Sequence, residues 1–228
     1  MKNTYLWNKQ TAYSVGLIAS DGCLLNDGRH IDLTSNDEKL LNTFSGTLGK
    51  KLKIGQKKNS NGGQSYRVQF SDVAYYDFLL NAGLTPRKSH TIHKINVPDE
   101  YYKDFLRGVF DGDGTVYGYF DTRWPNSFMY YTSITSASIY FLEFLRSQNK
   151  RLFNTSKGSV RKHTKASILA YAKKDSKILY EAMYTDCASN YLERKKAKFE
   201  NFIALDNNVK IGGTRTSGEI GKHASLRG

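Results

Sequence analysis

Asp21 and Asp113 carry the strongest chemical signal in this sequence. Asp21 ends the run Ser14-Val15-Gly16-Leu17-Ile18-Ala19-Ser20-Asp21-Gly22, and Asp113 ends Leu106-Arg107-Gly108-Val109-Phe110-Asp111-Gly112-Asp113-Gly114. Both runs are apolar, hold Gly in third place and finish Asp-Gly. Each reads as a helix stopped by glycine. The C-terminal end of a helix is electronegative, so two carboxylates meeting at two such ends repel unless a cation lies between them. All-oxygen donors favour Mg²⁺, which takes one or two carboxylates and fills its shell with substrate phosphates. Near a scissile phosphate such ions activate water, stabilise the leaving oxygen and offset charge. A single Asp-Gly is an ordinary turn with a solvated acid. Two in matched contexts point to one shared metal site.

The elements that must position these acids show the same duplication. Tyr13, Gly16, Leu17 and Ser20 fall at i, i+3, i+4 and i+7, and Phe105, Gly108, Val109 and Gly112 repeat the pattern. Gly inside a helix costs up to ~1 kcal/mol against Ala, so the small pairs Gly16/Ser20 and Gly108/Gly112 call for a packing reason. Close approach of two helix backbones supplies it and brings Asp21 and Asp113 together.

Asn8 is placed to cap the first helix, which runs to about Asp21. A strand at Cys23–Asn26, an alternating strand at His30–Ser35 and a helix at Asp37–Leu48 follow. Lys51–Lys57 and Ser65–Phe70 alternate as strands around a turn at Asn59–Gly63, and Asp72–Ala82 is helical. After the linker Thr91–Pro98 the order recurs. A helix at Asp99–Asp113 leads to a strand at Thr115–Phe120, a turn at Trp124-Pro125-Asn126 and a strand at Phe128–Thr135. A helix at Ala137–Gln148, strands at Ser159–His163 and Ser167–Ala172, and helices at Ser176–Tyr184 and Asn190–Phe202 complete it. The unit is α-β-β-α-β-β-α, twice, which makes an α+β fold. We divide the chain into halves at 1–95 and 96–206. The glycine-rich, basic segment 207–228 lacks periodicity and is expected to be flexible.

The 228 residues carry a formal net charge of +13, the balance expected of a chain that meets a polyanion. No apolar run approaches a membrane span, and Met1–Lys9 lacks the apolar core of a signal peptide, so an intracellular, reducing setting is expected. Cys23 and Cys187 have neither disulfide-framework nor metal-ligand spacing.

Both motif runs resemble the LAGLIDADG motif of homing endonucleases, and two copies resemble the single-chain, pseudosymmetric members. The departures are Ser14-Val15, Leu106-Arg107 and Ala19, which stands where Asp111 keeps the motif's first acid. The resemblance implies two antiparallel, saddle-like sheets with helices on one side. It implies Asp21 and Asp113 as catalytic metal ligands, with Mg²⁺ (Mn²⁺ as a substitute) as cofactor. It leaves Asp111 without a catalytic role. Arg87-Lys88-Ser89 and Arg194-Lys195-Lys196 occupy like places in the two halves. The family brings a basic residue from each half to the active site, which maps to Lys88 and Lys195, with Lys196 and Lys198 as competitors for the second place. Such a Lys can polarise the attacking water or stabilise the charge of the transition state.

Sheets with alternating polar side chains fit the major groove. The candidates in the first half are His30, Asp32, Thr34, Lys51, Lys53, Lys57, Ser65, Arg67 and Gln69. In the second half they are Tyr117, Tyr119, Arg123, Trp124, Ser159, Arg161, His163 and Lys165. Lys and Arg neutralise phosphates, while Arg67 and Gln69 can make bidentate base contacts. The faces differ, so the duplex site is expected to be asymmetric. The leading expectation is a monomeric, Mg²⁺-dependent, site-specific DNA endonuclease of intron-homing type. An RNA maturase acting on structured intron RNA and a non-catalytic DNA-binding protein are the alternatives.

Overall fold

A computed structural model of the protein defines residues 4–58, 63–123, 127–163, 165–187 and 190–219. The first half runs α1 (Lys9–Ser20), β1 (Gly22–Leu24), β2 (His30–Ser35), α2 (Glu38–Thr47), β3 (Ile54–Lys58), β4 (Gln64–Ser71) and α3 (Val73–Asn81). The second runs α4 (Tyr102–Asp113), β5 (Gly114–Phe120), β6 (Phe128–Ser136), α5 (Ile139–Phe153), β7 (Gly158–Lys162), β8 (Ser167–Ala172) and α6 (Lys173–Tyr184), followed by α7 (Glu193–Glu219). Each half forms one four-stranded antiparallel sheet, in the order β1-β2-β4-β3 and β5-β6-β8-β7. The two orders are the same permutation, which is the duplication expressed as topology.

Local chemistry sets these boundaries. The Asn8 side chain accepts from the Thr11 amide while the Thr11 hydroxyl accepts from the Asn8 amide, so α1 starts at a reciprocal capping box. Asp37, Asp72 and Ser138 cap α2, α3 and α5 with their side chains. Helix α5 continues past the expected Gln148 to Phe153, where Asn154 turns left-handed at φ 57°. Among the described residues, no helix is long and apolar enough to cross a membrane.

Two expectations are corrected here. The strand predicted from Lys51 starts only at Ile54. Ser45 takes up the preceding backbone, because its carbonyl accepts from the Lys50 amide and its hydroxyl from the Leu52 amide at 3.0 Å. Lys51 and Lys53 therefore lie in a loop and not on the sheet face. The tail expected from residue 207 instead continues α7 to Glu219. Phe199, Phe202, Ile203 and Val209 form one stripe against the core, and Asp206 pairs with Lys173 at 2.7 Å. Residues 220–228 lie outside the described residues, as do positions 59–62 of the Asn59–Gly63 turn and all of Trp124-Pro125-Asn126.

The core is continuous across both halves, because α1 is buried from Thr11 to Ala19 and packs directly on α4. A helix apolar all round belongs at the centre of a molecule. The inner faces of the sheets, Ile31, Leu33 and Val68 in one and Val116, Tyr130, Ile134 and Leu169 in the other, close the core from outside.

Candidate active site and nucleic-acid interface

The site is built on the contact between α1 and α4. A Cβ added at Gly16 would stand 2.2 Å from the Phe105 carbonyl oxygen, and one at Gly108 would stand 2.2 Å from the Tyr13 carbonyl oxygen. These distances lie far inside van der Waals contact, so only glycine admits this approach. At the C-terminal ends a Cβ on Gly112 would meet the Ser20 Oγ at 2.0 Å and the Asp21 Oδ2 at 3.1 Å. Gly16, Ser20, Gly108 and Gly112 thus lie at the helix contact. The Asp21 carboxylate reaches across it to the backbone of the other half.

Asp21 is the C-cap of α1, and Asp113 is the last residue of α4. Burial pushes the Asp21 carboxyl up to about 6, and the charge of Asp113 adds to this against the opposing pull of Lys195 and Lys88. Burial also raises Asp113, again against Lys195 and Lys88. Both lysines are pushed down to about 8, in each case mainly by burial. Two acids and two ammonium groups therefore share one poorly solvated cluster at the seam. Lys88 sits in a short 3-10 turn, Lys88–His90, and is 4% exposed. Lys195 Nζ donates to the carbonyls of Phe110 (2.8 Å), Gly112 (2.9 Å) and Gly114 (2.7 Å). A cation at helix-end carbonyls is well placed electrostatically. The competitors point elsewhere: Lys196 lies over the Tyr191 ring at 4.8 Å, and Lys198 over Phe202 at 5.8 Å.

Sequence reasoning missed the groups that lock this cluster. Asp111 is 1% exposed; its Oδ2 accepts from the Tyr13 hydroxyl and from the Leu192 amide, both at 2.8 Å. It ties α1, α4 and the start of α7 together three residues before Lys195. Arg107, fully buried, donates to the carbonyls of Asn190 and Met183 at 2.8 Å and pairs with buried Asp104. In the sequence Arg107 registers only as a loose place in the motif. Its role depends on α6 and the loop after it, which are distant in the chain.

The donor set suits a hard divalent ion. Among the described residues no three His, Cys, Asp or Glu side chains converge. What the chain offers is two carboxylates and helix-end carbonyls, an oxygen-only set that leaves room for substrate phosphates. A side chain at Gly112 would collide with Ser20 and with the Asp21 carboxylate, so glycine there lets the acid sit against the backbone of α4.

The outward sheet faces carry most of the predicted nucleic-acid contacts, with corrections. On the first sheet Asp32 pairs with Arg67, and Thr34 donates to Asp32 at 3.3 Å, so these three form one network. Gln69 and Lys57 are exposed, and His30 is held by Asp27. Ser65 is not available to a ligand: it is 2% exposed and its hydroxyl donates to the Lys57 carbonyl. On the second sheet Tyr117 and Tyr119 are exposed and neighbour Tyr131, which sequence reasoning overlooked. Ser159, Arg161, His163 and Lys165 are exposed, and Arg123 pairs with Asp121 beyond β5. Trp124 lies outside the described residues.

A LAGLIDADG-like domain model matches residues 100–184, which is the second unit from α4 to the end of α6. The solved homing endonuclease I-WcaI, bound to its DNA recognition sequence, superposes with a TM-score of 0.61 at 16% identity, covering 86% of this chain and 88% of that one. The chain has the LAGLIDADG fold. The LAGLIDADG homing endonuclease I-LtrWI bound to target DNA gives a TM-score of 0.59 at 12% identity, covering 89% and 91%. The N-terminal LAGLIDADG domain of DUF199/WhiA gives 0.54 at 18%, covering 84% and 90%. Among curated proteins no significant match is found. A LAGLIDADG fold thus serves proteins of more than one kind, and the site must decide the activity.

Proposed function

We propose that this chain is a site-specific endonuclease that hydrolyses one phosphodiester in each strand of a DNA duplex with divalent metal ions. The observation that carries the reading is the cluster of Asp21, Asp113, Lys88 and Lys195 at the ends of two helices packed backbone to backbone. A fold that only binds has no use for two converging, partly buried acids, because desolvating like charges costs stability. Asp21 and Asp113 would hold Mg²⁺, with Mn²⁺ able to substitute. The bound ion would supply an activated water and stabilisation of the leaving oxygen. Lys88 and Lys195 hold positive charge beside the scissile phosphate, where they offset charge that develops in the transition state. The outward sheet faces hold the duplex, and the chain acts as a monomer because each half supplies one acid and one lysine.

The test is Mg²⁺-dependent cleavage of a randomised duplex library, run beside the Asp21→Asn/Asp113→Asn double variant. We expect specific cutting by the wild type, and binding without cutting by the double variant. Cutting that survives in the double variant sinks the assignment of the acids. Absence of cutting with specific duplex binding identifies a binding protein, and tight binding to structured intron RNA alone identifies a maturase.

A further inference from the structure

The two outward faces differ in chemistry and not only in sequence. The first sheet presents the hydrogen-bonding groups Asp32, Thr34, Arg67 and Gln69 on paired strands. The second presents Tyr117, Tyr119 and Tyr131 beside Ile168, Ala170 and Ala172, which together line one cavity of 1080 Å³. In register, Tyr117 pairs with Tyr131 and Tyr131 with Ala172, so the apolar surface runs unbroken over three strands. Lys150, Lys157 and Arg161 stand around the same cavity, with Glu143 neutralised by Arg146, giving an apolar floor with a net cationic rim. That combination disfavours a basic-rimmed partner and fits a polyanion with apolar groups at its surface.

The major groove of DNA has one such group, the thymine C5-methyl. The rings give a second argument for an intact duplex. Tyr131 lies near-parallel to Tyr117 at 5.4 Å and 16°, and to Tyr119 at 6.2 Å and 15°. Rings that stack on each other spend the faces between them, whereas a platform for splayed bases keeps those faces free. We propose that the second sheet reads thymine methyl groups, so that the half-site under it is specified by apolar contact while the half-site under the first sheet is specified by hydrogen bonds. This rests on the proposed duplex-binding function and adds the chemistry of its discrimination.

The experiment takes the duplex selected from the randomised library and replaces thymine by uracil in one half at a time. Uracil keeps every hydrogen-bonding group and lacks only the methyl. The Arg67→Ala variant identifies the halves, since it relaxes base choice only under the first sheet. We expect each uracil under the second sheet to weaken binding about fourfold, the worth of one buried methyl, and uracil in the other half to have little effect. Tyr117→Ser should abolish the difference between thymine and uracil while its melting temperature shows that it is folded. Equal affinity for thymine and uracil under the second sheet overturns the proposal, as does a selected half-site there without thymine. Concentration-dependent dimers that DNA does not dissolve would assign the face to a second copy and overturn it too. If no duplex is selected at all, the proposed function itself has failed, and this inference falls with it.

Discussion

Gly16 and Gly108 face each other across the molecular seam as reciprocal partners. The position where Gly16 would carry a Cβ lies 3.0 Å from the Gly108 Cα, and the converse distance is 3.1 Å. Each also sits 2.2 Å from the carbonyl oxygen at the matched place in the opposite helix, Phe105 for one and Tyr13 for the other. The pseudo-twofold relation therefore passes through these two residues, and the spacing of Asp21 and Asp113 depends on it.

Gly108→Ala should destabilise the protein by several kcal/mol, because the three nearest atoms, the Tyr13 carbonyl oxygen, the Gly16 Cα and the Leu17 amide nitrogen, are all backbone and cannot rotate away. In an unobstructed helix the same change stabilises by up to ~1 kcal/mol. Gly46→Ala near the end of α2, where nothing lies within 4 Å of the added Cβ, is the control. Thermal unfolding of the two variants should show shifts of opposite sign, and a neutral Gly108→Ala would refute the close approach.

Asp21→Asn should make the metal-free protein more stable at neutral pH. The folded state holds the Asp21 proton up to about 6, above its ordinary 3.8. The unfolded chain gives up that proton first, so this contribution to stability is complete below pH 3.8 and is lost as pH rises through 6. Burying the ionised acid then costs roughly 1–3 kcal/mol at pH 7.5. Denaturation in a chelator should show the variant gaining on wild type between pH 4 and 7. Saturating Mg²⁺ should narrow the gap by binding the folded wild type. A variant no more stable than wild type at pH 7.5 would mean that the acid is solvated.

Lys195 and Lys196 are adjacent in sequence and differently placed. Lys195→Met should lower the single-turnover cleavage rate about 10²–10³-fold, because it removes a positive charge and unties the carbonyls that end α4. Lys196→Met should leave the rate near wild type, since that side chain engages Tyr191 and Glu200. Equal effects in rapid-quench measurements would remove Lys195 from the mechanism. Lys88→Ala should slow the chemistry without changing the selected site.

Arg107→Met should cost about 3–5 kcal/mol, because Asp104 would be left buried and unpaired. Removing both charges in Arg107→Met/Asp104→Leu should recover part of that loss in chemical denaturation. A double variant no more stable than Arg107→Met alone would show that the guanidinium's carbonyl contacts at Met183 and Asn190 dominate.

Much of the fold was legible in the chain, for local reasons. Asn8, Asp37 and Asp72 announce helix starts because a short polar side chain satisfies an amide that the helix leaves free. Strands β2 (His30–Ser35) and β8 (Ser167–Ala172) fall at the places their period-two patterns predict. Lys51–Ile54 misled because alternation also arises in a loop, here one tied down by Ser45. The 207–219 segment misled because its helix is held by a stripe that begins earlier, at Phe199, and by an ion pair to Lys173.

By itself the sequence determined the duplication, the two acids and the glycines that let their helices meet. Those are statements about residue type and spacing, and spacing along one helix fixes which side chains share a face. Tertiary structure decided that Lys195 sits at the carbonyls that end α4 while Lys196 lies over Tyr191. It also decided that the Ser65 hydroxyl is taken up by the Lys57 carbonyl, that Asp32 and Arg67 neutralise each other, and that Tyr131 completes an aromatic surface. Each of these depends on a partner far away in the chain, and no local period records where two such residues come to rest against one another.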